Sequence, residues 1–310
     1  MLKIKKICIV GTGYAAYNHF KCFNKLLKQK IIIVTRNIKS NKNLKRFNKK
    51  KVTIIKGIKN ISNTFDALVV AVPWFLNDKY LKILKDNKKP ILFEKPLSLN
   101  KKNIHKISFK NNKFVALNRR YYSTIQYIKK RIVADKNKII DVELNLSENF
   151  NLFKKRFKKP IQFITFFSSI HYLDLVIFLF GSPLDFKVLK SLFNKKSISS
   201  GHYICSYRNF NCRINIFNNT SENNKLIIRF KNGEIFILSP IEKLRIYKNM
   251  KKETLGNNKY FVPVLTKEVI DLKSQFKYGF LSQANAFLKK KMRPNIKEYL
   301  LTHNFIEKFI

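Results

Sequence analysis

The sequence predicts an α/β protein that begins with a doubly wound parallel sheet. Short apolar runs alternate with helical patterns up to residue 118, and such runs are typical of strands that are buried on both faces. The first run, residues 4–10, continues into a glycine-containing turn and then into a helical pattern that ends at residue 27. Further along, short strands separated by turn signals such as Asn232-Gly233 indicate β-hairpins.

Each element of the first part follows from a local pattern. A lysine-rich connection at residues 42–50 is weakly helical, and a helix ends near residue 86. Strands are predicted at residues 4–10, 31–35, 52–56, 65–73, 90–93 and 114–117.

The second part mixes strands and helices. A long apolar pattern at residues 163–180 predicts one buried helix, and two further helices are predicted at residues 269–291 and 296–310. Strands are predicted at residues 139–150, 203–207, 212–217, 226–230, 234–238 and 244–247.

The turn after the first strand carries a phosphate-binding motif. It reads Gly11-Thr12-Gly13-Tyr14-Ala15-Ala16, which is the G-x-G-x-x-A dinucleotide fingerprint in its proper place between a strand and a helix. Gly11 permits the tight turn, Gly13 lets the backbone approach a pyrophosphate, and Ala16 lets the helix pack closely on the strand. The helix N-terminus supplies N–H groups for the phosphates. We therefore predict that these six residues bind a dinucleotide.

The end of the second strand indicates which dinucleotide is preferred. NAD-binding proteins usually carry Asp or Glu at this position, where it binds the ribose 2′-hydroxyl. This chain has Arg36, and a guanidinium can pair with a 2′-phosphate and stack on adenine. The sequence therefore favours NADP over NAD. The alternative is that Arg36 only reflects the basic composition of the chain.

Composition narrows the classes of function. The 310 residues include 64 Lys+Arg against 18 Asp+Glu, a formal net charge of +46. A nucleic-acid-binding protein would concentrate this charge on one surface, but here lysine is spread from end to end, with an excess of Asn, Ile, Phe and Tyr. This joint bias is typical of A/T-rich codon usage. We expect no nucleic-acid partner, although the charge favours small anionic ligands.

The cysteines and the apolar segments narrow the remaining classes of function and the expected cellular setting. The four cysteines have no C-x-x-C spacing and no histidine cluster beside them, so neither a metal site nor a disulfide framework is predicted, and a reduced, cytoplasmic setting is expected. The N-terminal apolar run is too short for a signal peptide. Residues 163–181 approach the length of a membrane span, but they include His171 and Asp174, which favour a buried helix over a membrane segment. The cysteines are Cys8, Cys22, Cys205 and Cys212.

A second candidate site lies at residues 91–98, Ile-Leu-Phe-Glu-Lys-Pro-Leu-Ser. An apolar strand ends at Glu94 and Lys95, and Pro96 prevents its continuation as a central strand. Ligands of open α/β sheets bind at the carboxyl ends of the strands, so Lys95 is a candidate for chemistry. The alternative is a surface lysine at a turn of a lysine-rich protein.

Five motifs follow one another in a fixed order. They are G-T-G-Y-A-A at residues 11–16, D-A-L-V-V-A-V-P at 66–73, E-K-P-L at 94–97, N-R-R-Y at 118–121 and I-H-Y-L-D-L at 170–175, the last followed by F-L-F-G. Together they resemble the Gfo/Idh/MocA family of NAD(P)-dependent sugar and polyol oxidoreductases. The resemblance covers nearly the full length, and E-K-P at this distance from the glycine turn is its most specific part.

The resemblance implies the domain organisation and the reaction. A Rossmann domain is expected at residues 1–118, and a substrate-binding α/β domain with a large, mostly antiparallel open sheet at residues 119–310. Because that sheet often forms an oligomer interface in the family, a homodimer or homotetramer is expected. The implied reaction transfers a hydride between nicotinamide C4 and a carbon of a sugar, polyol or nucleotide-sugar.

The resemblance also implies roles for single residues in the first domain. Lys95 would give or take the proton of the reacting hydroxyl, and the Lys95–Pro96 peptide bond would be cis. Glu94 would contact the cofactor or orient Lys95. Pro73 and Asn77 would also contact the cofactor, and Asn77 stands where the family often has histidine.

The second catalytic element of the family is Asp-x-x-x-His, whose spacing puts both side chains on one helical face. His171 matches the histidine and would act as acid or base on the substrate. Phe167 stands at the aspartate position, which breaks the pair. Arg120 and Tyr121 would contact substrate or cofactor from the hinge.

The missing aspartate leaves three interpretations. The chain could be a dehydrogenase for which Lys95 and His171 suffice. It could act on an unusual substrate, such as a nucleotide-linked or acidic sugar of surface-glycan synthesis. It could also be a relative that binds cofactor and sugar without turnover.

Overall fold

The computed structural model describes residues 4–58, 65–106, 112–135, 138–191, 200–271 and 275–310. The chain divides into two compact units. The first consists of residues 1–121 and 273–304, and the second of residues 122–272 and 305–310. Each unit has its own sheet.

The first unit contains a six-stranded parallel sheet in the order β3-β2-β1-β4-β5-β6. This confirms the predicted Rossmann-type sheet, because the strand order reverses between β1 and β4 and leaves a crevice at their carboxyl ends. The strands are β1 (Ile7–Val10), β2 (Ile31–Thr35), β3 (Val52–Lys56), β4 (Ala67–Val70), β5 (Ile91–Phe93) and β6 (Lys113–Val115). The helices are α1 (Tyr14–Leu26), α2 (Asn77–Leu84), α3 (Lys101–His105) and, from the C-terminal part of the chain, α8 (Phe280–Leu288) and the start of α9 (Ile296–Glu307).

The second unit contains an eight-stranded sheet in the order β14-β13-β12-β11-β7-β10-β9-β8, in which only β7 and β10 pair in parallel. This confirms the expected large, mostly antiparallel sheet. Its strands are β7 (Ile139–Glu148), β8 (Asp185–Lys190), β9 (Ser200–Ser206), β10 (Asn211–Asn218), β11 (Lys225–Phe230), β12 (Ile235–Leu238), β13 (Lys243–Leu255) and β14 (Asn258–Ile270). Its helices are α4 (Ser123–Asp135), α5 (Phe150–Phe157), α6 (Ile164–Phe167) and α7 (Ile170–Phe180).

The C-terminal segment returns to the first unit, whereas the predicted boundary at residue 118 placed it in the second domain. Helix α8 packs on α1, where the rings of Phe23 and Phe287 lie 6.2 Å apart, and Asn295 forms an antiparallel bridge to Phe114 of β6. These contacts join residues more than 150 positions apart, so no local pattern reveals them. The first unit therefore includes residues that the sequence assigned to the second domain.

Two predicted helices differ in the structure. The helix predicted to start at residue 269 starts much later, because Val269 and Ile270 end strand β14, where they pair with Leu244 and Lys243 of β13. The helix predicted at residues 163–180 is broken into α6 and α7, with a bend of 57°. Strands β8 and β14 and helices α4 and α5 were not predicted.

None of the described helices is long and apolar enough to cross a membrane alone. The bent pair Ile161–Phe167 and Ile170–Phe180 passes that test jointly, by length and composition only. Most side chains of α7 are buried inside the protein, as is usual for a core helix.

Candidate active site

The glycine turn between β1 and α1 forms a cradle for phosphate. Gly11 has φ +115°, and a Cβ atom there would lie 2.2 Å from the carbonyl oxygen of Ala71, so a side chain has no room. Gly13 is the N-cap of α1 and is exposed, and a Cβ at this position would meet no atom within 4 Å. No side chain caps the helix, and no acid lies in its first turn. The first N–H groups of α1 can therefore bind an anion.

This cradle fits the pyrophosphate of a dinucleotide. The exposed backbone at Gly13 gives the close approach that the pyrophosphate needs, and Ala16, which is fully buried, keeps α1 close to the sheet. Thr12 and Ala15 are half-buried, whereas Tyr14 is exposed. Residues 11–16 therefore form the turn at the carboxyl end of β1 and the first residues of α1.

Polar groups cluster where β2 ends beside this turn. The side-chain amide of Asn41 donates to the hydroxyl oxygens of Thr12 at 2.9 Å and Thr35 at 2.8 Å. Arg36 is exposed immediately after the strand. Burial raises the pKa of Tyr80 on α2, and the charge of Arg36 partly offsets this rise, so the guanidinium lies near enough to act on that ring. Arg36 therefore lies at the adenosine end expected for a dinucleotide on this sheet.

The Glu94-Lys95-Pro96 turn lies at the carboxyl end of β5. The backbone N–H of Glu94 donates to the carbonyl of Val70 at 2.9 Å, which fixes the turn against β4. The Lys95–Pro96 peptide bond is cis, as the family resemblance implies. Lys95 is half-buried, and its backbone N–H donates to Oε2 of Glu94 at 3.3 Å.

A buried histidine holds the carboxylate of Glu94. His19 of α1 is 1% exposed, and its Nε2 lies 2.8 Å from Oε1 of Glu94. Burial acts to raise the pKa of Glu94, but the hydrogen bond and charge of His19, together with the charges of Lys95 and Lys277, outweigh it and hold that pKa below its usual value. Glu94 is therefore a carboxylate that interacts with Lys95. The ring of His19 lies 5.0 Å from that of Phe280 on α8.

Asn77 holds the same turn from the other side. It is fully buried at the start of α2, and its Nδ2 donates to the carbonyl oxygens of Glu94 at 3.3 Å and Pro96 at 2.6 Å. The Oδ1 of Asn77 is buried without a hydrogen-bond partner among the described residues. Tyr299 of α9 accepts from the N–H of Leu97 at 3.4 Å. Asn77 was predicted to contact the cofactor, but its amide hydrogens are used to hold the backbone around Lys95.

Three further predicted residues occupy different environments. Pro73 is exposed and precedes a short 3-10 turn that leads into α2. Arg120 is buried. The hydroxyl of Tyr121 donates to the carbonyl of Arg293 at 2.9 Å and accepts from the backbone N–H of the same residue at 2.8 Å, and burial raises the pKa of Tyr121 to about 12. Its hydroxyl is thus used by the protein backbone, and the proposed substrate contact of Tyr121 would need its ring edge.

In the second unit, the position of the family aspartate is part of an apolar cluster. Phe167 is 3% exposed at the end of α6, and its ring lies 4.4 Å from Phe157 and 5.7 Å from Phe153, both on α5. His171 is half-buried in the first turn of α7. Asp174, one turn later, is 1% exposed. The structure therefore assigns Phe167 a packing role in place of an acid.

A buried carboxylate fixes the bend between α6 and α7. Glu148, the last residue of β7, is 7% exposed and accepts from Ser168 Oγ at 2.6 Å and from Ser169 Oγ at 2.9 Å. The two serines lie at the break between the helices, just before His171. Glu148 therefore fixes the start of the helix that carries His171.

Sequence reasoning missed three of these residues, His19, Asn41 and Glu148, and it did not foresee that Asn77 clamps the backbone. His19 lies 75 residues from Glu94, and Asn41 lies 29 residues from Thr12. A local signal existed for His19, a polar residue among the aromatic residues of a helix that starts at the glycine turn. For Asn41 and Glu148 the sequence contains no such signal, since both depend on contacts between distant strands and helices.

The comparisons with known proteins agree with this geometry. Residues 5–112 match the GFO_IDH_MocA family, described as an oxidoreductase family with an NAD-binding Rossmann fold. No curated protein matches the chain.

Solved structures share the fold along almost all of the chain. A Gfo/Idh/MocA family oxidoreductase from Vibrio cholerae is 13% identical, with a TM-score of 0.73 and coverage of 98% of this chain and 96% of that chain. An oxidoreductase from Agrobacterium radiobacter in complex with NAD+, L-tartaric acid and magnesium is 15% identical, with a TM-score of 0.73 and coverage of 98% and 95%. UDP-N-acetylglucosamine 3-dehydrogenase from Acidithiobacillus ferrooxidans is 13% identical, with a TM-score of 0.69 and coverage of 98% and 95%.

At these identities the solved structures establish the fold, whereas the match over residues 5–112 also covers the glycine turn and the Glu94-Lys95-Pro96 turn. With both turns in place at the carboxyl ends of β1 and β5, residues 5–112 form an NAD-binding Rossmann domain of the type found in the Gfo/Idh/MocA oxidoreductase family.

Proposed function

We propose that this protein is an NADP(H)-preferring dehydrogenase or reductase that transfers a hydride between nicotinamide C4 and a hydroxyl-bearing carbon of a sugar-like substrate. The observation that supports this most directly is that the first unit has both a glycine turn suited to a pyrophosphate and a lysine on a hydrogen-bonded backbone turn, at the carboxyl ends of its parallel strands. When bound, the nicotinamide supplies the hydride chemistry. The protein must orient the substrate and manage one proton.

Lys95 is the residue proposed to manage that proton. Its Nζ would hold or move the proton of the reacting hydroxyl, and its charge contributes to keeping the neighbouring Glu94 ionised. His19 and Asn77 contribute indirectly, since one fixes the carboxylate of Glu94 and the other fixes the backbone on both sides of Lys95. His171 is proposed as a second acid or base, contributed by the second unit.

The proposed substrate is a sugar, polyol or nucleotide-sugar, with an anionic group preferred. Helix α5 packs on Phe167 and carries Lys154, Lys155 and Arg156 in its last turn. This places positive charge on the element that lies against the former aspartate position. One of the structures with the same fold is a UDP-N-acetylglucosamine 3-dehydrogenase, which supports a nucleotide-sugar as a candidate substrate.

The NADP preference depends on Arg36. Its guanidinium is exposed at the end of β2, where a 2′-phosphate would add two charge-assisted hydrogen bonds. Arg36→Asp should lower the NADPH/NADH affinity ratio by about tenfold or more. Fluorescence titration of both reduced cofactors measures this ratio. An unchanged ratio would contradict the proposed contact between Arg36 and the 2′-phosphate.

We further propose a homodimer or homotetramer formed through the large sheet of the second unit. Several apolar side chains of its outer strands are exposed, among them Val188, Leu189 and Phe261. Light scattering during size-exclusion chromatography gives the mass directly. A monomer at micromolar concentration would contradict this proposal.

The second candidate is a protein that binds cofactor and sugar without turnover. It is favoured by one observation, the apolar packing of Phe167 where the family has its acid. It predicts that NADPH binds but that no substrate oxidises it.

One experiment separates the two candidates. The wild-type protein is incubated with NADPH or NADP and a panel of nucleotide-sugars, uronic acids, inositols and their keto forms, and absorbance of the reduced nicotinamide is followed. Lys95→Ala should lower turnover by about a hundredfold or more while cofactor affinity stays within about twofold of the wild type. Lys102→Ala, an exposed lysine on α3, is the matched control and should keep full activity. Equal turnover by Lys95→Ala would contradict the role of Lys95.

A further inference from the structure

Every polar atom of the Asn41 side chain is used in the first unit. Its Nδ2 donates one hydrogen to Thr12 Oγ1 at 2.9 Å and the other to Thr35 Oγ1 at 2.8 Å. Its Oδ1 accepts from the backbone N–H of Asn43 at 3.1 Å, which caps the 3-10 turn over Lys42–Arg46. The side chain therefore has a single defined orientation, because the backbone N–H of Asn43 can only donate and must face the oxygen.

This orientation limits where the Thr12 hydroxyl hydrogen can point. A threonine hydroxyl has one hydrogen to donate and two lone pairs to accept with. Since Asn41 donates to Thr12, the hydrogen of Thr12 must point elsewhere. Thr35 differs, because its hydroxyl donates to the carbonyl of Asn37 at 3.2 Å. Among the described residues, no acceptor is recorded for the Thr12 hydrogen.

The position of Thr12 indicates the acceptor. Thr12 is half-buried between Gly11 and Gly13, in the turn beside the uncapped N–H groups of α1, which can bind an anion. The turn approaches a dinucleotide at its pyrophosphate, which the NAD and NADP forms share. A donor held there adds to the helix N–H groups, and a hydrogen bond to a charged oxygen is stronger than one between neutral groups.

We propose that Asn41 is a positioning residue that orients the Thr12 hydroxyl as a donor to the pyrophosphate of the bound dinucleotide. This inference rests on the proposed function, since it needs a dinucleotide on this turn. It assigns Asn41 and Arg36 separate tasks. Asn41 acts on NAD and NADP forms alike, whereas Arg36 acts on the 2′-phosphate alone.

The test is a double-mutant cycle on cofactor binding, which needs no substrate. NADH and NADPH are titrated into the wild type, Asn41→Ala, Thr12→Val and the double variant, and fluorescence gives each Kd. Each single variant should bind both cofactors about tenfold more weakly. The Kd of the double variant should exceed that of the wild type by no more than about tenfold, because Asn41 has no effect once the hydroxyl is gone.

Asn48→Ala is the matched control. Asn48 caps the neighbouring 3-10 turn through the same bond, from Lys50 N to its side-chain oxygen, but contacts neither threonine. It should lose the cap without losing cofactor affinity. Asn41→Ser, which keeps a capping oxygen, serves as a second variant if Asn41→Ala folds poorly, and circular dichroism and Tm report on folding.

Three results would overturn the inference. One is a hundredfold loss in the double variant, which would show that Asn41 and Thr12 act independently. Another is a loss confined to NADPH, which would assign the pair to the 2′-phosphate. The third is an equal loss in Asn48→Ala. If the folded wild type binds neither cofactor, the proposed function itself is wrong, and this result is distinct from the other three.

Discussion

The turn around Lys95 and the helix junction before His171 carry the two predicted catalytic residues, and the chemistry of their surroundings differs. At the first, polar groups from α1, α2 and α9 hold the backbone and the carboxylate of Glu94. At the second, Phe167 belongs to an aromatic cluster, and the buried carboxylate of Glu148 accepts hydrogen bonds from Ser168 and Ser169. The comparison shows that the turn around Lys95 is held by polar contacts, whereas position 167 is held by apolar packing.

The physical reason for the difference is the cost of burying charge. Glu94 can stay ionised inside the protein because His19 and nearby lysines compensate for its burial. An aspartate at position 167 would face Phe153 and Phe157, which offer no hydrogen bond. The second region therefore stabilises its fold by packing where the family uses an acid.

The largest expected effect concerns the glycine turn that accompanies the Lys95 region. Gly11→Ala should lower the free energy of unfolding by about 4 kcal/mol or more, because the new Cβ would lie 2.2 Å from the Ala71 carbonyl oxygen at a positive φ. Gly57→Ala is the control, since its φ is also positive but no atom lies within 4 Å. It should cost about 1 kcal/mol. Chemical denaturation measures both values, and similar losses would show that the close contact is unimportant.

Restoring the family acid tests the second region directly. Phe167→Asp should lower the free energy of unfolding by about 3 to 5 kcal/mol, because it buries a carboxylate among aromatic rings and removes their packing. It should not raise turnover. Phe167→Leu, which keeps the site apolar, should cost less than half as much. A stable Phe167→Asp variant with higher activity would show that the acid site is still intact.

The histidine that holds Glu94 tests the first region. His19→Phe should cost about 2 to 3 kcal/mol, because it leaves a largely buried carboxylate without its main donor. His105→Phe, at an exposed site on α3, is the control and should change Tm little. Equal Tm values for the two variants would mean that His19 contributes no more than a surface residue.

The pKa of the Glu94 carboxylate predicts how the stability of the folded protein changes in acid. The pKa of Glu94 is lower in the folded protein than its reference value of 4.5. Its contribution to stability is therefore fully present above that value and is lost as the pH falls through the lower, folded pKa. Glu94→Gln should remove this part of the acid sensitivity. Denaturation curves measured across the acid range would decide, and unchanged acid sensitivity in the variant would contradict the assignment.

The smallest expected effect concerns the bend before His171. Ser169→Ala removes one fully buried bond to Glu148 and should cost about 1 kcal/mol. Ser168→Ala removes a bond to the same carboxylate from an exposed position and should cost less. The reverse order would show that solvent does not replace the exposed donor.

Much of the first unit could be predicted from local patterns. The apolar runs gave its strands, the glycine turn gave the start of α1, and Lys95 and Pro96 marked the end of β5. These features are local because buried parallel strands need continuous apolar residues and because only glycine fits the turn at Gly11. The predicted roles of Lys95, His171 and Arg36 in binding or chemistry remain predictions.

The secondary-structure predictions were wrong where strand pairing or side-chain contacts override the local preference for a helix or a strand. The segment ending at Ile270 has residues that suit either a helix or a strand, and its pairing with β13 selects the strand. The apolar pattern at residues 163–180 reads as one helix, but Ser168 and Ser169 turn towards Glu148 and break it.

The sequence by itself determined the strands of the first sheet and the position of the glycine and lysine turns. Each of these depends on residues that are adjacent in the chain. Only the tertiary structure decided that α8 returns to α1, that His19 pairs with Glu94, that Asn41 donates to Thr12 and that Phe167 packs on α5. Those contacts are made between distant segments, whose meeting is set by the burial of whole elements and is therefore invisible to any local pattern.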